Sequence, residues 1–278
     1  MDMQASLPVD EPIAAEENLY TVPQTRDTHI TIRGLYKSFA GAPLYEDFHF
    51  DLPRNKIISI FGPNGCGKST LMNMIAGLTP LDKGEILFDG RMLKEIKIGY
   101  VFQNYREALF PWLRAIDNIA YPLRRSGMKE ADVQARTQEL VKSFDIKFDL
   151  QRYPYELSGG QQQSVCIMRA LAPKPEVIFL DEPFSALDYE MTLFIRDKLQ
   201  EIHMQTGVTM VMVSHDLEDA VFLSDRILLL TRRPTTVAEY MHFDLARPRT
   251  AEDAANPEFV QTKAHALAVF LREVRKET

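Results

Sequence analysis

The sequence has only two cysteines, Cys66 and Cys166, far apart and in unrelated surroundings. Neither a disulfide framework nor a thiolate zinc site can be built from them, and a reducing compartment fits. Long apolar runs are missing too. Runs such as VIFL at 177–180 and ILLL at 227–230 fall far short of the ~20 residues that span a bilayer. The chain does not open on a cationic stretch followed by an apolar one, as a secretory signal does. Excess positive charge is absent. The net charge is −7, and −5 of it lies in the first 28 residues, where Asp2, Asp10, Glu11, Glu16, Glu17 and Asp27 face Arg26 alone. The remainder is close to neutral, which excludes nucleic-acid binding driven by bulk charge and a polybasic hold on lipid. Residues 1–28 read as a disordered acidic leader. No period recurs along the chain, so a single core unit is expected.

What is present is enough apolar residue, 45% of 278, for one sizeable core. HITIRGLYKSF (29–39), FHFDL (48–52) and GEILFDG (84–90) read as short strands of a small antiparallel sheet. KIISIFG (56–62), EVIFLDEP (176–183), VTMVMVSH (208–215) and DRILLLT (225–231) lack polar alternation, as strands covered on both faces do. They predict a parallel α/β core. Helical patterns fall at 68–77, about 129–144, 160–172 before Pro173, about 188–205, and 216–223. Near the end, Asn256 as N-cap and Pro257 at the first helical position open an amphipathic helix, with Phe259, Leu267, Phe270, Leu271 and Val274 near helical spacing. That helix is expected to pack on the core.

FGPNGCGKST at 61–70 follows a strand and precedes a helix, with Gly62, four residues, then Gly67, Lys68 and Ser69. This is the phosphate-loop pattern in the context it requires. Glycines let successive N–H groups curl inward as an anion nest, and the helix adds its positive dipole end. Lys68 would reach the outer phosphates, and Ser69 would contribute to Mg²⁺ coordination. Asp181, at the end of VIFLD, stands where open α/β sheets carry ligands and is the candidate carboxylate for the metal; Glu182 is the candidate general base. Cys66, near a helix N-terminus and beside Lys68, meets conditions that lower a thiol pKa, which makes it a candidate reactive thiol.

LSGGQQQ at 157–163 is a second helix start rich in backbone donors, with Ser158 as N-cap. Two anion-seeking helix ends and one lysine-bearing loop suggest that the second end completes a pocket on another copy. With these motifs in order, residues 29–231 resemble the ATP-binding subunit of an ATP-binding cassette (ABC) transporter. The resemblance places the Walker A motif at Gly62, Pro63, Asn64, Gly65, Cys66, Gly67, Lys68, Ser69 and Thr70, and the signature at Leu157, Ser158, Gly159, Gly160 and Gln161. It places the Walker B motif at Val177–Glu182 and the D-loop at SALD (185–188), ending in Asp188. By the same resemblance Gln103 is the Q-loop residue that contacts Mg²⁺ and water, and His215 is the switch histidine at the γ phosphate. Phe39, with Tyr36 as runner-up, would stack on adenine; the alternative for Phe39 is a packed sheet residue. Where the family alternates glutamine and arginine after the signature, this chain has Gln162 and Ser164, a departure expected to weaken turnover.

The implied fold is an α/β core of P-loop NTPase type, with an N-terminal antiparallel β subdomain and an inserted helical subdomain at about 104–165. The ATPase domain would cover 29–240, and 241–278 would form a C-terminal extension. Phe110, Pro111, Trp112 and Leu113, with the FPW and RPR neighbourhoods, are similar to the nitrate/sulfonate/taurine importer branch. That implies a homodimeric ATPase using ATP and Mg²⁺, peripheral on the cytoplasmic face of the membrane. It would dock on a separate permease, served indirectly by an extracytoplasmic solute-binding protein, and touch neither solute nor nucleic acid. The apolar cluster at 110–113 could instead cap the chain's own helical subdomain. Two alternatives stay open: a slow-hydrolysing regulatory subunit, and a soluble ABC ATPase outside transport.

Overall fold

A computed structural model describes residues 27–276 apart from Ala186 and Asp244. The acidic leader up to Arg26, and Ala186 of the SALD stretch, lie outside the described residues. Strands β1 (Thr28–Phe39) and β2 (Ala42–Pro53) form a hairpin. With β4 (Lys83–Phe88) on the other edge of β1, they make the antiparallel sheet, ordered β2-β1-β4. The larger sheet is built around β3 (Ile57–Phe61), β6 (Val177–Asp181), β7 (Thr209–Val213) and β8 (Arg226–Leu230). Two edges not foreseen in the sequence, β5 (Ile98–Val101) and β9 (Val237–His242), complete the order β5-β6-β7-β3-β8-β9. All its pairings are parallel except β8 with β9.

Every residue of β3, β6 and β7 is buried, which explains why these runs carry no polar alternation. Their side chains part by the two-residue period of a strand. Ile58, Ile60, Val177, Phe179, Val211 and Val213 join the core under the antiparallel sheet, with α1 (Lys68–Ile75). Ile57, Ile178, Leu180, Met210 and Met212 join the core on the other face. That face is covered by α5 (Gly159–Leu171), α6 (Tyr189–Thr206), α7 (Leu217–Leu223) and α8 (Pro257–Arg275). Further helices α2 (Tyr105–Ala108) and α3 (Ala115–Arg125) gather against α5, and α4 (Glu130–Ser143) packs on α3.

Helix ends follow their sequence signals. Asn256 Oδ1 accepts from Glu258 N at 2.9 Å, with Pro257 at the first position of α8. Asp188 caps α6, which ends on Gly207 in the left-handed region, φ 65°. The buried stripe of α8 is Phe259, Ala266, Val269 and Glu273; Leu267 and Leu271 point outward, contrary to the packing expected of them. Phe270 meets the Phe61 ring at 5.3 Å. No helix among the described residues is long and apolar enough to cross a membrane.

The segment between β9 and α8 contributes a fully buried Arg249. Its Nη1 donates to Val221 O at 3.0 Å, Phe222 O at 2.8 Å and Ser224 O at 2.8 Å. These are carbonyls at the C-terminus of α7, which the helix itself cannot satisfy. Burial, and then neighbouring Arg247, push the Arg249 pKa down to about 10. Arg247 donates to Asp225 Oδ1 at 2.8 Å, and Asp225 Oδ2 accepts from Ile57 N at 2.8 Å, at the foot of β3.

Candidate functional site

The phosphate loop leaves the C-terminal end of β3 and enters α1. Gly65 and Gly67 hold φ of 75° and 100°, left-handed values that side-chain-bearing residues rarely adopt. A Cβ on Gly67 would also stand 2.9 Å from a methyl of buried Leu44. Asn64 and Gly65 are exposed, whereas Pro63 and Lys68 are buried and Ser69 and Thr70 half-buried. The Lys68 ammonium donates to Gly62 O at 2.9 Å and Pro63 O at 3.1 Å. The cation is therefore held across the loop that it closes.

Cys66 does not have the environment expected of a reactive thiol. It is 1% exposed, and burial pushes its pKa up, against the opposing pull of Lys68 and the loop amides. Desolvation of the thiolate outweighs the nearby positive charge.

Ser69 Oγ donates to Asp181 Oδ1 at 3.1 Å, joining the start of α1 to the end of β6. Burial and then Glu182 raise the Asp181 pKa against the pull of Ser69. A carboxylate and a hydroxyl brought together in a dry site, where ionisation is costly, fit a hard divalent cation that prefers oxygen ligands. Among the described residues no three of His, Cys, Asp and Glu converge as a metal cluster, so such an ion would need further oxygens from a bound phosphate or water. Tyr100 was not anticipated here. Its hydroxyl donates to Asn73 Oδ1 at 2.6 Å and lies 3.5 Å from Asp181 Oδ2. A tyrosine three residues before Gln103 carries no sequence signal for that role; only the pairing of β5 with β6 brings it near.

Glu182 follows in an uncommon conformation for a non-glycine residue, φ 46°, anchored by its own N–H on Val213 O at 3.0 Å. Its Oε2 accepts from Gln103 Nε2 at 2.8 Å and lies 3.2 Å from His215 Nδ1. Gln103, Glu182 and His215 come from three neighbouring strand ends, of β5, β6 and β7, so the sheet order assembles them. Gln103 contacts Glu182 and not the Ser69–Asp181 pair.

At the start of α5, Ser158 and Gln161 form a capping box: Ser158 Oγ accepts from Gln161 N at 3.4 Å, and Gln161 Oε1 from Ser158 N at 3.0 Å. These bonds are local, and none reaches the phosphate loop. A Cβ on Gly159 would lie 2.6 Å from the Tyr105 hydroxyl, and one on Gly160 2.3 Å from Met191 Cγ. Gln162 and Ser164 are buried, bonding to Leu157 O at 2.9 Å and Gly160 O at 3.0 Å. Asp188 lies on the surface as the α6 cap. Phe39 is exposed, with Lys37 Nζ 5.3 Å from its ring centre, so it is not a packed core residue. Tyr36 is half-buried beneath Lys83.

Trp112 is 70% exposed, beside Phe110 at 5.4 Å; Phe110 in turn meets Tyr121 at 4.6 Å. A groove of about 330 Å³ opens there, lined in part by Tyr100, Phe102, Phe110, Tyr121 and Arg169.

The model of the ABC transporter family matches residues 45–185. The chain is 39% identical over 210 residues to a sulfate/thiosulfate import ATP-binding protein of Neisseria meningitidis, covering 72% of this chain and 58% of that protein. It thus spans less than two thirds of that relative's length. It is 34% identical over 250 residues to a taurine import ATP-binding protein of Escherichia coli O157:H7, covering 86% of this chain and 96% of that protein. A dimeric ATP-binding cassette solved in a post-hydrolysis state with ADP and Pi is similar in structure, with a TM-score of 0.69 and 29% identity, covering 78% of this chain and all of the other. A glycine-rich loop with the phosphate-loop pattern, an acidic strand end and a glycine-rich helix start, set on a mostly parallel sheet with an antiparallel sheet on one face, are accounted for together: this chain belongs to the ABC transporter family, with the fold of its ATP-binding cassettes.

Proposed function

We propose that this chain is the ATP-hydrolysing subunit of an importer for a small anion of the taurine, sulfonate or nitrate class, working as a homodimer docked on a separate permease. The observation that carries the reading is the convergence of Gln103, Glu182 and His215 beside the Ser69–Asp181 pair at one end of the sheet. The solute class draws on the taurine importer relative, which aligns over nearly its whole length, whereas the sulfate/thiosulfate relative aligns over little more than half of its own. The absence of a membrane-spanning helix among the described residues accords with a peripheral subunit on the cytoplasmic face. A solute-binding protein outside the membrane would feed the permease and not touch this chain.

In this reading the loop from Gly62 to Thr70 binds the phosphates, Lys68 exchanging its carbonyl partners for phosphate oxygens, while Phe39 offers a ring face to adenine. Ser69 and Asp181 would hold Mg²⁺, with Gln103 turning to it through its amide oxygen; the ion would neutralise charge on the β and γ phosphates. Glu182 accepts the proton of the attacking water, oriented by Gln103, and His215 reports on the γ phosphate from the adjacent strand end. Ser158, Gly159, Gly160 and Gln161 present the second anion-seeking terminus to the partner's nucleotide, and Asp188 of the D-loop contributes to nucleotide binding beside them.

A second reading, a slow-hydrolysing regulatory subunit, draws on the neutral, buried Gln162 and Ser164 where the family pattern has arginine. The test is ATPase activity of the purified chain with and without its co-purified permease. Stimulation by the permease supports the transport reading, permease-insensitive slow turnover supports the second, and failure to bind ATP overturns both.

A further inference from the structure

The phosphate loop is gripped by side chains from outside it. Between β8 and β9, residues 231–236 fold against the loop. Arg233 Nε donates to Gly65 O at 2.7 Å, and Thr235 Oγ1 donates to Cys66 O at 2.6 Å. From β2, Tyr45 Oη donates to Gly67 O at 3.1 Å. Three successive carbonyls are thereby held by three side chains, two of them from one turn. That turn is itself fastened to β2, through Thr235 N to Leu44 O at 2.8 Å.

A trans peptide is planar, with its C=O and N–H pointing in opposite directions. Fixing the carbonyl of Cys66 therefore fixes the direction of the Gly67 N–H that shares its plane, and fixing Gly65 does the same for Cys66. The planes matter because Gly65 and Gly67 flank them, and glycine rotates between backbone regions at little cost. A loop whose value lies in the aim of its N–H groups is also the loop most free to lose it. Thr235 is buried, so its bond is formed away from competing water.

The same turn is tied to the C-terminal helix. Arg232 Nη2 donates to Val274 O at 3.1 Å, a carbonyl in the last turn of α8. One turn upstream, Phe270 packs on Phe61, the residue that precedes Gly62.

We infer that Arg233 and Thr235 are positioning residues that set the nucleotide affinity of the phosphate loop, and that the end of α8 holds their turn in register. The inference rests on the reading that residues 62–70 bind phosphate. It is tested in the full-length chain by titrating a fluorescent ATP analogue, following turnover and measuring melting temperature. Thr235→Val keeps the shape but leaves Cys66 O without its donor, and should weaken binding by on the order of tenfold. Thr235→Ser keeps the hydroxyl and should bind within about twofold of wild type. Arg233→Ala, losing one exposed charged donor, should weaken binding roughly fivefold, and Arg232→Ala roughly twofold. In Thr235→Val, KM should rise with Kd while kcat stays within about twofold, since aim and not chemistry is lost.

Wild-type affinity in Thr235→Val, or equal weakening in Thr235→Ser, overturns the inference. So does weakened binding that accompanies a melting temperature many degrees lower, since the turn would then act only on the fold. Unchanged binding in Arg232→Ala overturns the role given to α8. Lys68→Ala separates the two levels: if it binds the analogue normally, the phosphate-loop reading itself fails. If it loses binding while Thr235→Val does not, only the present inference fails.

Discussion

Replacing Glu182 by glutamine isolates the proposed proton acceptance from the hydrogen bonding of this residue. In the structure, Oε2 alone receives Gln103 Nε2 at 2.8 Å and faces His215 Nδ1 at 3.2 Å. An amide oxygen can occupy that position and keep the Gln103 bond, with the amide nitrogen in place of the other oxygen. The backbone sits at φ 46°, a strain of about 1 kcal/mol for either side chain, so the substitution does not alter it. Fold and nucleotide affinity should therefore persist, with Kd within about twofold of wild type. Losing a general base removes roughly 10²- to 10⁴-fold in rate, which is about 2.7–5.4 kcal/mol of barrier. Phosphate release at saturating Mg-ATP, beside a binding titration, measures both quantities. Glu182→Gly provides a control: it relieves the backbone strain, so it should melt no lower than wild type while losing turnover equally. Turnover of the glutamine variant within tenfold of wild type would refute the assignment of Glu182 as the base.

Trp112→Ala should shift the melting temperature by about 2 °C or less, because a 70% exposed side chain contributes little to folding. Its association with the permease should fall roughly thirtyfold if the ring anchors that interface, and full recruitment and uptake in the mutant would leave the patch without that role. Mixing Lys68→Ala with Ser158→Arg subunits gathers both lesions into one pocket of the heterodimer and spares the other; activity above both homodimers is expected, and none would count against pockets shared between chains. Cys66 should react with a small thiol reagent far more slowly than a free thiol at pH 7.5 and speed up in mild denaturant, because the native thiol is buried with its pKa raised. Rapid native labelling would show that the loop opens readily.

The elements legible in the sequence are those in which one physical cause dominates. Strands β3, β6, β7 and β8 announce themselves by unbroken apolar runs because helices or sheet cover both faces. Strands β5 and β9 escaped notice because they are edges whose residues are mostly half-buried. Helix α3 was missed for another reason: Pro122 lies within it, and the stretch reads more readily as an exposed binding surface. In the site, the phosphate loop and the Asp181–Glu182 strand end are visible because each motif carries its own chemistry. Tyr100, Arg233 and Thr235 act through hydrogen bonds to groups 27 to 169 positions away, and no local pattern encodes that. Cys66 shows the reverse error: the charges beside it were legible, but the burial that outweighs them was not. Leu267 and Leu271 fit the helical spacing, yet the face turned to the core is set by Phe259, Ala266 and Val269.

The buried guanidinium of Arg249 has a consequence in time as well as space. It satisfies carbonyls at 221, 222 and 224, so helix α7, which begins two residues after His215, is complete only when a residue made some twenty-five positions later arrives. Ribosomes add about 5–20 residues per second, and domains emerge N-terminus first. For the seconds between synthesis of α7 and release of Arg249 from the exit tunnel, the carbonyls at the C-terminal end of α7 lack the donor that satisfies them in the finished fold. The order of manufacture thus leaves the helix that follows His215 to be capped only after every strand of the larger sheet has been made.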